Sequence, residues 1–303
     1  MKKAILHNLD EIDDHTALMK RLKEKARNGY QMIRFPRAAS TITHHTFGRH
    51  VNQGPHASQT YSMLGACSFA DMPFTWGAAH DSVLSFPVDV EPSDPKFRET
   101  LKKVRSLASK DSWVTTFNTL PEEKEAYRKD RLTFQVIRNP YDWLTSIYNW
   151  NQGPFKRSKR LLPDNFDHFV RHYLGQERTD WVFKMNNCFP YPMMKRCFFQ
   201  AFDNDDNCKV DAFIRFEYLN EGISSLFQLG GLEPLKEGTL DRLKSKITKW
   251  STNNTFNDYR DEFYTVPKTK EIVAKAYAWD LENFNYDFDG PKDKVSTFIN
   301  GEE

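Results

Sequence analysis

LTFQVIRNPYDWLTSIYNW, residues 132–150, runs from strand-forming residues straight into a helix, and its reading decides the fold. The run LTFQVI is largely apolar and rich in β-formers, which suits a strand in the interior of a parallel sheet. Asn139 followed by Pro140 is a strong helix start, with asparagine as N-cap and proline at the first helical position. Arg138 stands at the joint. Ser146 follows Asn139 by seven residues, two helical turns, so the two share a helix face. A strand-end arginine and a serine on the next helix can hold one phosphate between them at the carboxyl edge of a sheet. Ile137, Leu144, Ile147 and Trp150 read as core.

A second strand–helix joint lies upstream in YQMIRFPRAAST, residues 30–41. Its strand ends in Pro36, Arg37, Ala38 and Ala39, and a helix opens on Ser40 and Thr41. Small side chains let backbone N–H groups curl around an anion, and the helix N-terminus adds its positive end. The two hydroxyls can donate to a phosphate that Arg37 neutralises. The same pattern also fits an ordinary strand–turn–helix with a capping serine. No G-x-x-x-x-G-K-[ST] run occurs anywhere, which argues against an ATP or GTP P-loop enzyme.

The chain has 303 residues, enough for one large α/β domain, and no linker divides it. With 43 basic and 41 acidic residues its net charge is +2, so bulk charge gives no reason to expect a nucleic-acid partner. Cys67, Cys188, Cys197 and Cys208 have no metal-ligand spacing and are too few for a disulfide framework, which suits a reducing compartment. The N-terminal residues lack the apolar core of a signal peptide, and nothing approaches a membrane span of about 18 apolar residues. These features predict a cytoplasmic protein with no membrane partner and no metal.

Further elements follow from periodicity and punctuation. Helices are expected over 10–26, 40–50, 122–129, 140–150, 166–174, 220–229, 240–249 and 268–284, with Gly230-Gly231 stopping one of them. Much of 181–202 reads as helix as well. Strands are expected over 30–35, 113–117, 132–137 and 212–216. Residues 51–95 carry no sustained period, and an irregular insertion is expected over about 51–110. Strands alternating with helices predict a three-layer α/β domain, a central parallel sheet flanked by helices.

VIRNPYDWLTSIY resembles the 3′-phosphate-binding segment of sulfotransferases that use 3′-phosphoadenosine-5′-phosphosulfate (PAPS). The matching residues are Arg138, Asn139, Pro140, Ser146 and Tyr148. FPRAASTIT is similar to that family's 5′-phosphosulfate loop, with Arg37 where a lysine is usual. VDAFIRFEYLNEGISSLFQLGG (residues 210–231) resembles the strand–helix unit with Arg-Phe-Glu found in membrane-type sulfotransferases and their bacterial relatives. Residues 253–288 resemble their C-terminal segment, where a helix ends in Asp-x-x-x-Phe-x-Tyr.

The resemblance implies a P-loop-like fold and donor binding by Pro36, Arg37, Ala38, Ala39, Ser40, Thr41, Arg138 and Ser146. PAPS would be the co-substrate and 3′-phosphoadenosine-5′-phosphate the product, with a hydroxyl or amine of a small molecule as acceptor. Arg37 would act on the leaving phosphate. Some relatives carry histidines on the strand before the Arg-Asn-Pro strand, but residues 113–118 here contain none. His80 is the preferred general base because the insertion should line the acceptor pocket; His44, His45, His56 and Glu122 are alternatives. Two other readings stay open: a binding protein for nucleotides or sulfated ligands that has lost catalysis, and a nucleotide kinase-like phosphotransferase.

Overall fold

Three strands whose every side chain is buried form the middle of the molecule: Gly29–Ile33, Leu132–Ile137 and Ala212–Arg215. A computed structural model describes residues 6–33, 39–51, 60–64, 75–76, 115–116, 129–152, 165–174, 201–202, 208–247 and 260–301. Its strands are β1 (Leu6–Asn8), β2 (Gly29–Ile33), β3 (Thr60–Leu64), β4 (Thr75–Trp76), β5 (Thr115–Thr116), β6 (Leu132–Ile137), β7 (Ala212–Arg215) and β8 (Thr297–Asn300). The main sheet has the order β1-β8-β7-β6-β2-β3.

Four neighbouring strands, β7, β6, β2 and the edge strand β3, are parallel, as expected for strands joined by helices. The sheet as a whole is mixed, because β8 runs antiparallel to both β7 and β1. β3 falls inside the stretch expected to be irregular. It pairs with β2 from Gly29↔Thr60 to Ile33↔Leu64, so this part of the chain belongs to the sheet. Among the described residues β5 pairs with β4 in a small separate ribbon rather than beside β6.

The helices are α1 (Ala17–Asn28), α2 (Ser40–His50), α3 (Pro140–Gln152), α4 (Phe166–Tyr173), α5 (Leu219–Leu229), α6 (Thr239–Ile247), α7 (Arg260–Phe263), α8 (Pro267–Ala276) and α9 (Ala278–Asn283). α1 starts later than its apolar period suggests, because Thr16 caps it by accepting the Met19 N–H at 3.1 Å. The final helix expected over 268–284 breaks at Tyr277, which turns α8 into α9.

Both faces of the sheet are covered. On one, Phe47 of α2 lies 4.7 Å from Phe134 of β6 and 5.3 Å from Tyr30 of β2, between ring centroids. Phe227 of α5 closes that cluster at 4.8 Å from Phe47. On the other, Phe213 of β7 meets Phe284 at 5.0 Å, and Phe284 meets Trp279 of α9 and Phe298 of β8. Aromatic pairs at these separations add to the burial of large apolar side chains that holds the layers together.

Chain path fixes where a ligand can sit. From β2 the chain passes through α2 to β3 on one side; from β6 it passes through α3 to β7 on the other. β2 and β6 are adjacent, so the direction of winding reverses between them. The crevice at the carboxyl ends of two such strands is where open α/β sheets bind ligands.

Candidate functional site: the carboxyl ends of β2 and β6

Arg138 follows the last residue of β6, and Asn139 caps α3. The asparagine Oδ1 accepts the Tyr141 N–H at 3.1 Å, and its carbonyl accepts the Trp143 N–H at 2.9 Å. This is the cap expected from Asn-Pro. Asn139 Nδ2 donates to the Asp287 carbonyl at 2.8 Å, tying the joint to the C-terminal segment.

Arg138 is only 7% exposed, and its guanidinium lies over the Phe216 ring, 4.5 Å from the centroid. Ser146 is buried within α3, two turns above the cap. That separation is about 10 Å along the helix axis, a span suited to an extended arginine side chain and one phosphate.

The end of β7 and the residues that follow it supply the floor of the joint through Arg215, Phe216 and Glu217. Glu217 accepts the Asn139 N–H at 3.1 Å and the Tyr286 hydroxyl at 2.7 Å. Burial pushes its carboxyl above the ordinary glutamate range, against the opposing pull of Tyr286, Asn139 and the Arg138 charge. Burial and the neighbouring Glu217 charge also raise the Tyr286 phenol well above its usual value, so it stays a donor.

Arg215 is completely buried, which demands partners for its charge. It ion-pairs with Asp293, donates to the Phe284 carbonyl and reaches the Val295 carbonyl at 2.8 Å. It thus binds β7 to the segment that carries Tyr286 and Asp287. A cavity of about 240 Å³ opens beside the joint, lined by Phe216, Glu217, Asn220, Glu221, Gly238 and Asp241 among others.

The upstream joint is described from Ala39 onward. Ala39 adopts the left-handed conformation (φ 54°, ψ 17°), rare for a residue with a Cβ and costing about 1–2 kcal/mol. Such strain collects where a backbone must present its N–H groups in a fixed direction. α2 begins at Ser40, and its first helical bond runs from Thr43 N–H to the Ala39 carbonyl at 3.1 Å. The amides of Ser40, Thr41 and Ile42 therefore lack an acceptor within the helix and point beyond its N-terminus. Pro36, Arg37 and Ala38 lie outside the described residues, as do the side chains of Ser40 and Thr41.

Of the candidate bases, His44 is half-buried and His45 exposed, with rings 5.6 Å apart on α2. His56, His80 and Glu122 lie outside the described residues. Among the described residues no group of three or more His, Cys, Asp or Glu side chains could hold a metal ion, and no helix is long and apolar enough to cross a membrane.

The N-terminus of α2 after β2 and the guanidinium of Arg138 after β6 thus share one edge of the sheet. The sulfotransferase family model matches residues 36–287, most of the chain. The chain belongs to the sulfotransferase family. No curated protein and no solved structure gives a significant match. Family membership supports a sulfotransferase activity in general terms.

The matched span starts at Pro36 of the upstream loop and ends at Asp287, whose carbonyl holds Asn139. In this sulfotransferase the roles of Phe216, Glu217, Tyr286 and Asp287 escaped the sequence reading. Arg-Phe-Glu and the terminal Phe-x-Tyr were visible as resemblances, but nothing in their spacing says that they meet beneath Arg138.

Proposed function

We propose that this sulfotransferase takes PAPS as donor and transfers its sulfuryl group to a hydroxyl or amine of a small molecule. One observation carries the reading: the winding reverses between β2 and β6, and each of these neighbours ends in an anion-directed feature. A nucleotide with phosphates at both 5′ and 3′ positions suits two grips on adjacent strands. In the transfer, an acceptor oxygen or nitrogen attacks sulfur in line with the bond to the 5′-phosphate oxygen. That bond breaks, and its electron pair leaves with 3′-phosphoadenosine-5′-phosphate. The acceptor proton passes to a base or to water.

As in phosphoryl transfer, positioning and charge stabilisation supply most of the catalysis. The amides at the start of α2, with Arg37, Ser40 and Thr41, stabilise the leaving phosphate. Arg138 and Ser146 hold the 3′-phosphate and set the register of the donor.

Calorimetry with adenosine 3′,5′-bisphosphate, AMP and ATP tests the donor. The bisphosphate should bind on the order of 100-fold more tightly than AMP, the value of one well-made charge-assisted grip. A preference for ATP, or equal affinity for AMP and bisphosphate, would sink the reading and in the first case favour a phosphotransferase. A second reading, a binding protein without turnover, draws on Arg37 and on the strand without histidine, since a guanidinium does not give up its proton. Tight bisphosphate binding with no transfer from PAPS to phenol, alcohol or amine acceptors would favour it.

A further inference from the structure

Glu217 places a carboxylate where it opposes the very ligand assigned to Arg138. Its Oε1 accepts the Asn139 N–H at the opening of α3, a donor that an incoming anion would otherwise take. Its Oε2 accepts the Tyr286 hydroxyl, and the charge of Arg138 attracts it. Glu217 therefore acts as an internal anion at the helix start and holds the joint in place. When a phosphate reaches the same guanidinium, two negative groups compete for one positive one.

We propose that Glu217 is the positioning residue of the 3′-phosphate grip and takes up a proton as the bisphosphate binds. The inference rests on the reading of Arg138 as the 3′-phosphate ligand. Like charges sharing a site drive one of them to protonate. The carboxyl yields readily, because burial already favours its neutral form. Once neutral it keeps an acceptor oxygen for the Asn139 N–H, and its O–H can face the Tyr286 oxygen. The joint keeps its geometry while losing a charge that repels the ligand.

The surroundings bear on the sign. From β6 and α3 come the Arg138 guanidinium, the Asn139 N–H and, acting on Tyr286, the charge of Asp142. From the C-terminal segment come Tyr286 and the carbonyl side of Asp287. Arg215 acts through Tyr286, and Glu221, Glu237 and Asp241 line the adjoining cavity. Among the described residues Arg138 is the cation whose charge acts on the carboxylate, Arg215 is committed to Asp293, and the remaining acids add to the negative field. A further dianion raises the proton affinity of Glu217.

The test is calorimetry of the full chain with adenosine 3′,5′-bisphosphate and AMP from pH 6 to 8, in buffers of different ionisation enthalpy. Protons on the ligand's own phosphates contribute equally to wild type and to Glu217→Gln, so the difference between the two proteins isolates the carboxyl. Wild type should take up more protons with the bisphosphate than Glu217→Gln does, and no more with AMP. Its bisphosphate affinity, relative to the variant, should fall as pH rises, by at most about tenfold per pH unit.

Glu217→Gln keeps an acceptor for Asn139 and should bind the bisphosphate as tightly as wild type or several-fold more tightly above neutral pH. Identical proton uptake and parallel pH profiles in the two proteins would overturn the inference while leaving the donor assignment intact. Equal affinity of wild type for AMP and bisphosphate would remove the donor assignment itself. Arg138→Ala should abolish the extra uptake, and its persistence there would also refute the coupling.

Discussion

Replacing Arg138 with alanine should erase the preference for a 3′-phosphate and leave the rest of the nucleotide's affinity nearly untouched. Arg138 is 7% exposed, so its hydrogen bonds to a phosphate would form away from bulk water. Hydrogen bonds to a charged group are worth about 1.5–3 kcal/mol each, and a guanidinium can make two in parallel. Part of that gain is offset. The cation already rests on Phe216, a contact worth about 1 kcal/mol, and the charge of Glu217 already attracts it.

A net loss of about 3 kcal/mol follows, or about 150-fold in bisphosphate affinity. AMP, which lacks the 3′-phosphate, should change by less than about threefold. Isothermal calorimetry reads both ligands, with thermal melting to show that the variant folds. Arg138→Lys should fall between, since an ammonium keeps the charge but loses the planar fork. Equal losses for AMP and bisphosphate would mean that Arg138 supports the fold or the 5′ side. No loss for either would mean that the 3′-phosphate lies elsewhere.

Two further predictions concern the scaffold. At Gly222 a Cβ would lie 2.2 Å from Ile214 Cγ2 and 3.2 Å from the Ser296 carbonyl, so Gly222→Ala should cost about 1–3 kcal/mol and lower Tm by several degrees. Adding Ile214→Ala should recover part of that loss, and strictly additive Tm changes would refute the close contact. Asp293 and Asp167 are partly desolvated, which alone would raise their pKa values. Arg215 and Asn285 at Asp293, and Arg171 and Thr269 at Asp167, outweigh that and hold both below the usual carboxylate range. The unfolded chain then binds more protons, so their stabilisation is complete above about pH 4 and is lost as pH falls through the lower folded values. The Tm gap between wild type and Asp293→Asn should narrow from pH 6 towards pH 2, and a constant gap would contradict the assignment.

The local half of the site was legible because its signals are local. Asn139-Pro140 fixes a helix start by side-chain capping and a locked φ, and the structure has that cap to the residue. The run before it reads as an interior strand because both of its faces are covered. β3 was missed because a strand beside β2 needs little period of its own once its neighbour supplies a ladder. β1 and β8 are short, and they form through antiparallel pairing with each other across most of the chain. The break at Tyr277 has no proline or glycine to announce it. It comes from packing, with Tyr277 edge-on to Trp143 at 6.3 Å and Trp279 edge-on to Phe202 at 5.2 Å.

The part of the site that sequence could not supply is the part made by pairing. Parallel pairing of β6 with β7 brings Ile137 opposite Arg215, which sets Arg138 beside Phe216 and Glu217. Arg215, buried and committed to Asp293, pins the C-terminal segment so that Tyr286 meets Glu217 and Asp287 meets Asn139. Three distant stretches thereby converge on one backbone joint. The precision of the proposed phosphate grip would then be a property of the sheet register as much as of Arg138 itself. A change at Asp293 should loosen donor binding without touching a ligand atom, whereas a change at Ser224, whose hydroxyl accepts the Leu235 N–H away from this network, should leave it unaltered.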